Sequence, residues 1–338
     1  MNATAARMTM DRPQKFRLVY LLAASHSGST LTAMLLGAHP EVCTVGELKL
    51  SNLGDVDRYR CSCLSPIKAC SFWNRVSEAM RRRGHAFDVA NAGTDYLRSV
   101  DSGYVRRLVR PLHRGPIAEL ARDAALALSP AWRTAVKRTQ RRNADLIASV
   151  LECTGKRIVL DSSKVGLRLK YLLRNPELDI RVIRIVRDGR AVMNTYMRPE
   201  QFADANDPTR RSGGDGGSRR SIPISMRAAA REWRRSNEEA EAVLATVASG
   251  RSKVIHYEDL CREPVRALNE LFTFIGADPA KMVMDFRSVE QHIVGNGMRM
   301  DSSSEIRLDD RWKQALSAEE LCVFEEEAGA MNRKLGYR

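Results

Sequence analysis

Nowhere in its 338 residues does this chain sustain an apolar run approaching the roughly 20 residues of a membrane helix. Its opening, MNATAARMTMDRPQKF, lacks the apolar centre of a secretory signal, so a soluble, cytoplasmic protein without a transmembrane segment is expected. Seven cysteines are too few in so long a chain for a disulfide scaffold. Cys43, Cys153, Cys261 and Cys322 stand singly and read as buried small apolar residues. Cys61, Cys63 and Cys70 form the one cluster. With a fourth ligand such as His85 they could hold zinc, but the spacing is not the standard pair of pairs, and a local disulfide or plain packing is the plainer reading. No carboxylate cluster or histidine pair has metal-ligand spacing, and no metal is expected. The GxxxxGK[ST] loop is missing too, which removes the lysine that a nucleotide kinase or NTPase needs.

What the chain does carry is charge and apolar bulk. Hydrophobic residues make up 43%, enough for a full core, and the expectation is one domain over residues 1–338. Residues 95–150, rich in Ala, Leu and Arg with breaks at Pro111, Pro116 and Pro130, read as several short helices. They would form an insertion covering the acceptor side of a site. Residues 200–223, NDPTRRSGGDGGSRRSIP at their heart, read as a flexible loop, either a lid or a surface excursion. A net charge of +14 implies an anionic partner. Nucleic acid is the first candidate for any basic chain, but the arginines are scattered, with no zinc-finger spacing and no RNA-binding aromatic signature. Helix-turn-helix is harder to exclude from sequence. A small molecule with several phosphate charges explains the balance as well, and no nucleic-acid partner is expected.

The rest is organised around residues 17–39, RLVYLLAASHSGSTLTAMLLGAH. Leu18–Ala24 is short, apolar and contains Val and Tyr, which suits a buried parallel strand. Ser25-His26-Ser27-Gly28-Ser29-Thr30 follows, and Leu31, Met34 and Leu35 then recur at helical spacing. A strand, a small-residue turn and a helix start together make an anion trap. The plainer alternative is that Ser27 or Ser29 simply caps the helix. A second unit, RVIRIVRDGRAVMNTYMR at 181–198, repeats the pattern, with Arg187 ending a strand and Thr195 on the helix. IVLD at 158–161 and KVIH at 253–256 read as further strands, and Glu41–Gly46 as a short one. His39 reads as a helix cap, His256 as structural, and His292 sits too late in the chain for an acceptor-side base. Asp161, after a strand, could pose as a Mg2+-binding aspartate in the kinase reading.

Together the 17–39 and 181–198 segments resemble the sulfotransferases that use 3'-phosphoadenosine-5'-phosphosulfate (PAPS). The resemblance implies a three-layer α/β/α fold, P-loop-like, around a central parallel sheet. It implies that Ser27, Gly28, Ser29 and Thr30 hold the donor's 5'-phosphosulfate and that Arg187 and Thr195 hold its 3'-phosphate. VIHYEDL points to Tyr257 beside the adenine. GNGMR points to Arg299 over the 3'-phosphate, with Arg311 and Lys313 in support. GAHPEVCTVGE is similar to the tyrosylprotein and carbohydrate branches and places Glu47 as general base for a hydroxyl or amine acceptor. Relatives carry Arg or Lys where this chain has His26, so either a protonated His26 or Lys164 would stabilise the leaving oxygen. A sulfuryl donor does not itself require Mg2+.

Overall fold

The computed structural model describes residues 15–51, 53–100, 102–109, 115–198 and 224–338. The expected loop at 200–223 lies outside them.

Five strands form one sheet: β1 (Phe16–Ala23), β2 (Val42–Thr44), β3 (Ile158–Lys164), β4 (Leu178–Val186) and β5 (Ser252–His256). Their order is β2-β3-β1-β4-β5, and every pairing is parallel. Residues of a strand alternate between faces, so β1 must satisfy both at once. Leu18, Tyr20 and Leu22 join one core, while Val19, Leu21 and Ala23 join another. An unbroken apolar run is the sequence form of a strand covered on two sides.

Helices cover both faces. In chain order they are α1 (Ser29–Gly37), α2 (Ser71–Arg82), α3 (Gly103–Leu108), α4 (Pro116–Leu128), α5 (Pro130–Thr154), α6 (Gly166–Leu172), α7 (Gly189–Met197), α8 (Met226–Leu244), α9 (Tyr257–Arg262), α10 (Pro264–Ile275), α11 (Trp312–Ala315) and α12 (Ala318–Lys334). α2, α5 and α6 pack on the Leu18 face, and α1 and α10 on the Val19 face. A third core gathers Trp233 of α8, Val192 of α7 and Phe324 of α12.

The insertion differs from its expected form. Pro116 and Pro130 stand at the first turns of α4 and α5, where a missing amide costs nothing, so α5 runs unbroken for 25 residues. α5 serves the core: Leu146, Ile147 and Val150 are buried against the sheet, and Asn143 reaches Arg168. Among the described residues, none of 95–150 lines the main cavity. The cysteine expectations also need correction at two positions, because Cys322 is exposed and Cys153 half-buried.

Parallel pairing has one consequence for function. All five carboxyl ends point the same way, and in such sheets ligands bind beyond those ends. β1 leads into Ser25–Ser29, β2 into Gly46-Glu47, β3 ends on Lys164, β4 leads into Arg187, and β5 into Tyr257.

Candidate active site

Those five ends open onto one cavity of about 700 Å3. Nine of the eleven residues singled out from sequence stand on its wall: His26, Gly28, Ser29, Thr30, Glu47, Lys164, Arg187, Thr195 and Tyr257. Ser29 and Arg187, far apart in sequence, therefore share one space.

The turn after β1 is built for close approach. Gly28 takes φ 84° and is the N-cap of α1, so neither Ser27 nor Ser29 has that role, and no side chain caps the helix. The amides that open α1 have no partner within the helix, and Ser29, Thr30 and Leu31, which carry them, line the cavity. A Cβ at Gly28 would lie 2.4 Å from the Tyr257 ring, so only glycine lets the tyrosine lie on this turn. Ser27 sits beneath the wall, 1% exposed, and its hydroxyl has no hydrogen-bond partner among the described residues.

Arg187 ties the turn to the opposite wall. Its Nη1 donates to the His26 carbonyl at 2.8 Å, and its Nη2 donates to the Asp309 carbonyl at 2.8 Å. The Asp309 carboxylate lies 3.1 Å from Nη2, and the guanidinium stacks 4.4 Å above the Tyr257 ring. Its Nε is buried without a partner among the described residues. Burial raises the Asp309 carboxyl, but Arg311 and Arg187 more than offset this and hold it below its ordinary range. Thr195 is buried, and its hydroxyl donates to the Ala191 carbonyl at 3.1 Å.

Glu47 is placed by Gly46, whose φ is 79° and whose missing side chain makes room for the Val294 carbonyl. A Cβ there would stand 2.0 Å from that oxygen. Lys164 Nζ lies 2.6 Å from one Glu47 oxygen and Lys49 Nζ 3.1 Å from the other. Burial pushes the Glu47 carboxyl up, but the two ammonium groups outweigh it and hold the carboxyl at about 2. Lys164 reaches this position through an irregularity in β3. Between Tyr20↔Asp161 and Leu22↔Lys164 the strand carries one extra residue, and Lys164 itself takes φ 70°. Such bulges re-aim side chains beside sites.

His26 also has a positive φ, 61°, and meets Tyr196 edge-on at 5.5 Å. Burial first, then Lys164 and Arg187, lower its imidazole to about 4. His26 is therefore neutral near pH 7, and the positive charge at this end of the cavity belongs to Lys164 and Arg187. Because its folded value lies below the ordinary 6.5, proton binding favours the unfolded chain, and His26 removes stability as pH falls from 6.5 toward 4. Imidazole NMR of the full chain should show the His26 ring neutral through the neutral range with its inflection near 4. An inflection at the ordinary value would contradict the geometry.

Arg299 is not on the wall. It is 2% exposed, donates to the Arg60 carbonyl at 2.9 Å and to the Gly295 carbonyl, and stacks 4.5 Å from the Tyr59 ring. Arg287, Arg307 and Arg311 do line the cavity. Lys313 pairs with Asp310 instead. Lys49 and Asp309 went unnoticed in the sequence. Lys49 meets Glu47 through a turn, in which the Leu50 amide donates to the Glu47 carbonyl at 3.0 Å.

The remaining candidates resolve into structure. His39 accepts from the Glu41 amide at 3.1 Å and meets the Asp278 carbonyl at 2.8 Å. His256 meets the Leu335 carbonyl at 2.9 Å. Asp161 is fully buried, paired with Arg168 at 3.1 Å and accepting from the Leu48 amide at 3.1 Å. It is thus unavailable as the Mg2+-binding aspartate of a kinase. His85, the suggested fourth ligand of the cysteine cluster, is instead held by Asp145 at 2.7 Å.

The chain matches the sulfotransferase family over residues 19–280 and belongs to it. It is 28% identical over 178 residues to carbohydrate sulfotransferase 5 of Mus musculus, covering 49% of this chain and 44% of that protein. Carbohydrate sulfotransferase 6 of Homo sapiens is 26% identical over 174 residues, with the same coverage, 49% and 44%. The chain thus spans about half the length of the curated relatives it matches. Among solved structures it is similar to the sulfotransferase domain of the Synechococcus PCC 7002 olefin synthase. That match has 16% identity and a TM-score of 0.45, over 94% of this chain and 96% of that one. Among the described residues, no helix is long and apolar enough to cross a membrane.

Proposed function

We propose that this protein transfers a sulfuryl group from PAPS to a hydroxyl acceptor, with Glu47 as general base. The observation that carries the reading is the uncapped start of α1 and Arg187 on one cavity wall, in a chain of the sulfotransferase family. Two buried polar atoms without partners among the described residues, Ser27 Oγ and Arg187 Nε, sit beneath the same wall and fit a site shaped for an anion.

In this reading the amides and hydroxyls of Ser29 and Thr30 bind the 5'-phosphate end, where helix-start partial charge favours an anion. Arg187 and Thr195 bind the 3'-phosphate, whose charge replaces the Asp309 carboxylate beside the guanidinium. Tyr257 positions the adenine. The donor supplies the sulfuryl group and a phosphate leaving group. The acceptor oxygen forms the new O–S bond as the S–O bond to phosphate breaks in line, and the acceptor proton passes to Glu47. Lys164 meets the charge that develops on the leaving oxygen, the kind of fixed stabilisation that does most of the work in group transfer. Neutral His26 can only donate a hydrogen bond there.

Glu47 held at about 2 is a weak base while both lysines pair with it. The dianionic phosphosulfate end of a bound donor competes for Lys164, loosens that pair and raises the carboxylate's basicity when the acceptor is present. The donor thereby prepares the base.

Sugar hydroxyls are the first acceptors to test, because the sequence relatives are named carbohydrate sulfotransferases. Adenosine 3',5'-bisphosphate should raise the melting temperature of the full chain well above any shift from ATP at equal concentration, as ligand linkage requires. Labelled PAPS should then pass label to one member of a sugar, peptide and phenol panel. A shift from ATP alone would overturn the donor assignment.

A further inference from the structure

The cysteine cluster has a fourth member that the sequence conceals. Folding brings His292 to Cys61, Cys63 and Cys70, across 222 residues from the last of them. Cys61 Sγ lies 3.7 Å and Cys70 Sγ 3.5 Å from His292 Nδ1, and Cys63 Sγ lies 3.6 Å from Cys70 Sγ. We propose that these four residues bind a zinc ion that clasps the loop around residues 59–70 to the segment around 291–299, behind the cavity wall.

The distances are those of a zinc tetrahedron. With Zn–S bonds of about 2.3 Å and Zn–N of about 2.0–2.1 Å, the edges of such a site measure roughly 3.5–3.8 Å. Three edges already have that length. The four ligand atoms all lie within 4.8 Å of one another, so inward movement of about 1 Å closes the site on bonds of that length.

The surroundings also suit a metal ligand. His292 turns Nδ1 to the sulfurs and Nε2 toward the Glu290 carboxylate at 3.5 Å, the outer partner that orients a ligating imidazole. Its ring lies flat on Phe72, 4.5 Å between centroids and 2° from parallel, which fixes the other axis. Cys61 and Cys70 are buried, and their sulfurs meet one another, Cys63 and His292 in a group made wholly of metal-ligating side chains. A disulfide fits less well. The Cys63–Cys70 sulfurs stand 3.6 Å apart against about 2.0 Å for the bond, and closing it would leave Cys61 and His292 unexplained.

The clasp has a mechanical purpose. Ser62 between the ligands donates its amide to the Ile293 carbonyl at 3.3 Å, and its hydroxyl accepts from the Ile293 amide at 2.8 Å. Tyr59 accepts from the Gly295 amide at 2.8 Å, and Arg299 joins the Arg60 and Gly295 carbonyls. Tyr59, Val294 and Gly295 are cavity wall, and Gly295 borders the Glu47 side chain. A bound metal would therefore hold the wall beside Glu47 without touching the reacting groups. The site does not depend on the donor assignment.

Co2+ titrated into the reduced, metal-free full chain is the decisive measurement. One equivalent should produce the intense visible d–d bands of a tetrahedral site with three thiolates and one imidazole, and Zn2+ should bleach them stoichiometrically. His292→Ala should weaken cobalt binding by more than the roughly 10–100-fold lost when only an outer partner is removed, while Cys153→Ser should leave it unchanged. The proposal is overturned if wild type gives only the weak spectrum of hydrated cobalt. It is equally overturned if peptide mapping after alkylation finds Cys63 joined to Cys70, or if His292→Ala binds cobalt as wild type does.

Discussion

Glu47→Gln is expected to lower turnover by about 10²- to 10⁴-fold, the usual share of a positioned general base, while leaving adenosine 3',5'-bisphosphate bound within a few-fold. The substitution keeps the shape of the side chain and its place after Gly46 but removes the charge that takes the acceptor proton. Lys164 and Lys49 lose their shared partner, at 2.6 and 3.1 Å, and become freer to meet an anionic donor. Donor binding should therefore hold or tighten as kcat collapses, a split that a merely misfolded variant would not give. Stability supplies a second readout. A carboxyl held at about 2 against an ordinary 4.5 adds stability above 4.5 that is lost as pH falls through about 2. Urea midpoints of the variant should flatten over that acid window relative to wild type. Wild-type turnover in Glu47→Gln would remove Glu47 from the chemistry.

Arg187→Ala should weaken adenosine 3',5'-bisphosphate by roughly 10- to 100-fold, on the scale of a charge-assisted hydrogen bond at about 1.5–3 kcal/mol. Adenosine 5'-phosphate should lose far less. The contrast matters because Arg187 has two parts to play. Its contact with the His26 carbonyl supports the turn after β1, and its stacking on Tyr257 supports the wall beside it. If both nucleotides weaken equally in calorimetry, the residue acts through the turn and does not read the 3'-phosphate. Arg187→Lys, which keeps the charge but not the fork, should recover only part of the difference.

Much of the scaffold was visible in the residues themselves. Leu18–Ala24 is an unbroken apolar run because a strand covered on two faces has no polar side to show, while Arg181–Val186 keeps Val182, Ile183, Ile185 and Val186 buried around a buried Arg184. Helix α7 could be placed from Asp188-Gly189, and the structure has Asp188 capping it by accepting from the Arg190 amide at 2.9 Å. The insertion was harder. Pro116 and Pro130 looked like breaks, yet proline at a first turn begins a helix as readily as it ends one. Arg299 shows the same limit: a basic residue in a late loop gives no sign of which way it faces, and here it turns inward to backbone carbonyls.

By itself, then, the amino-acid order determined the parallel-strand class, the small-residue turn at 25–30 and the strand-end position of Arg187, because each depends on local pattern and backbone sterics. The tertiary structure alone decided that five strand ends share one cavity, that Lys164 and Lys49 both fall on Glu47, and that His292 meets three cysteines. Nearly all of these are meetings between residues tens to hundreds of positions apart. No local propensity encodes them, because they arise only when strands align in parallel and the loops beyond their ends are drawn together.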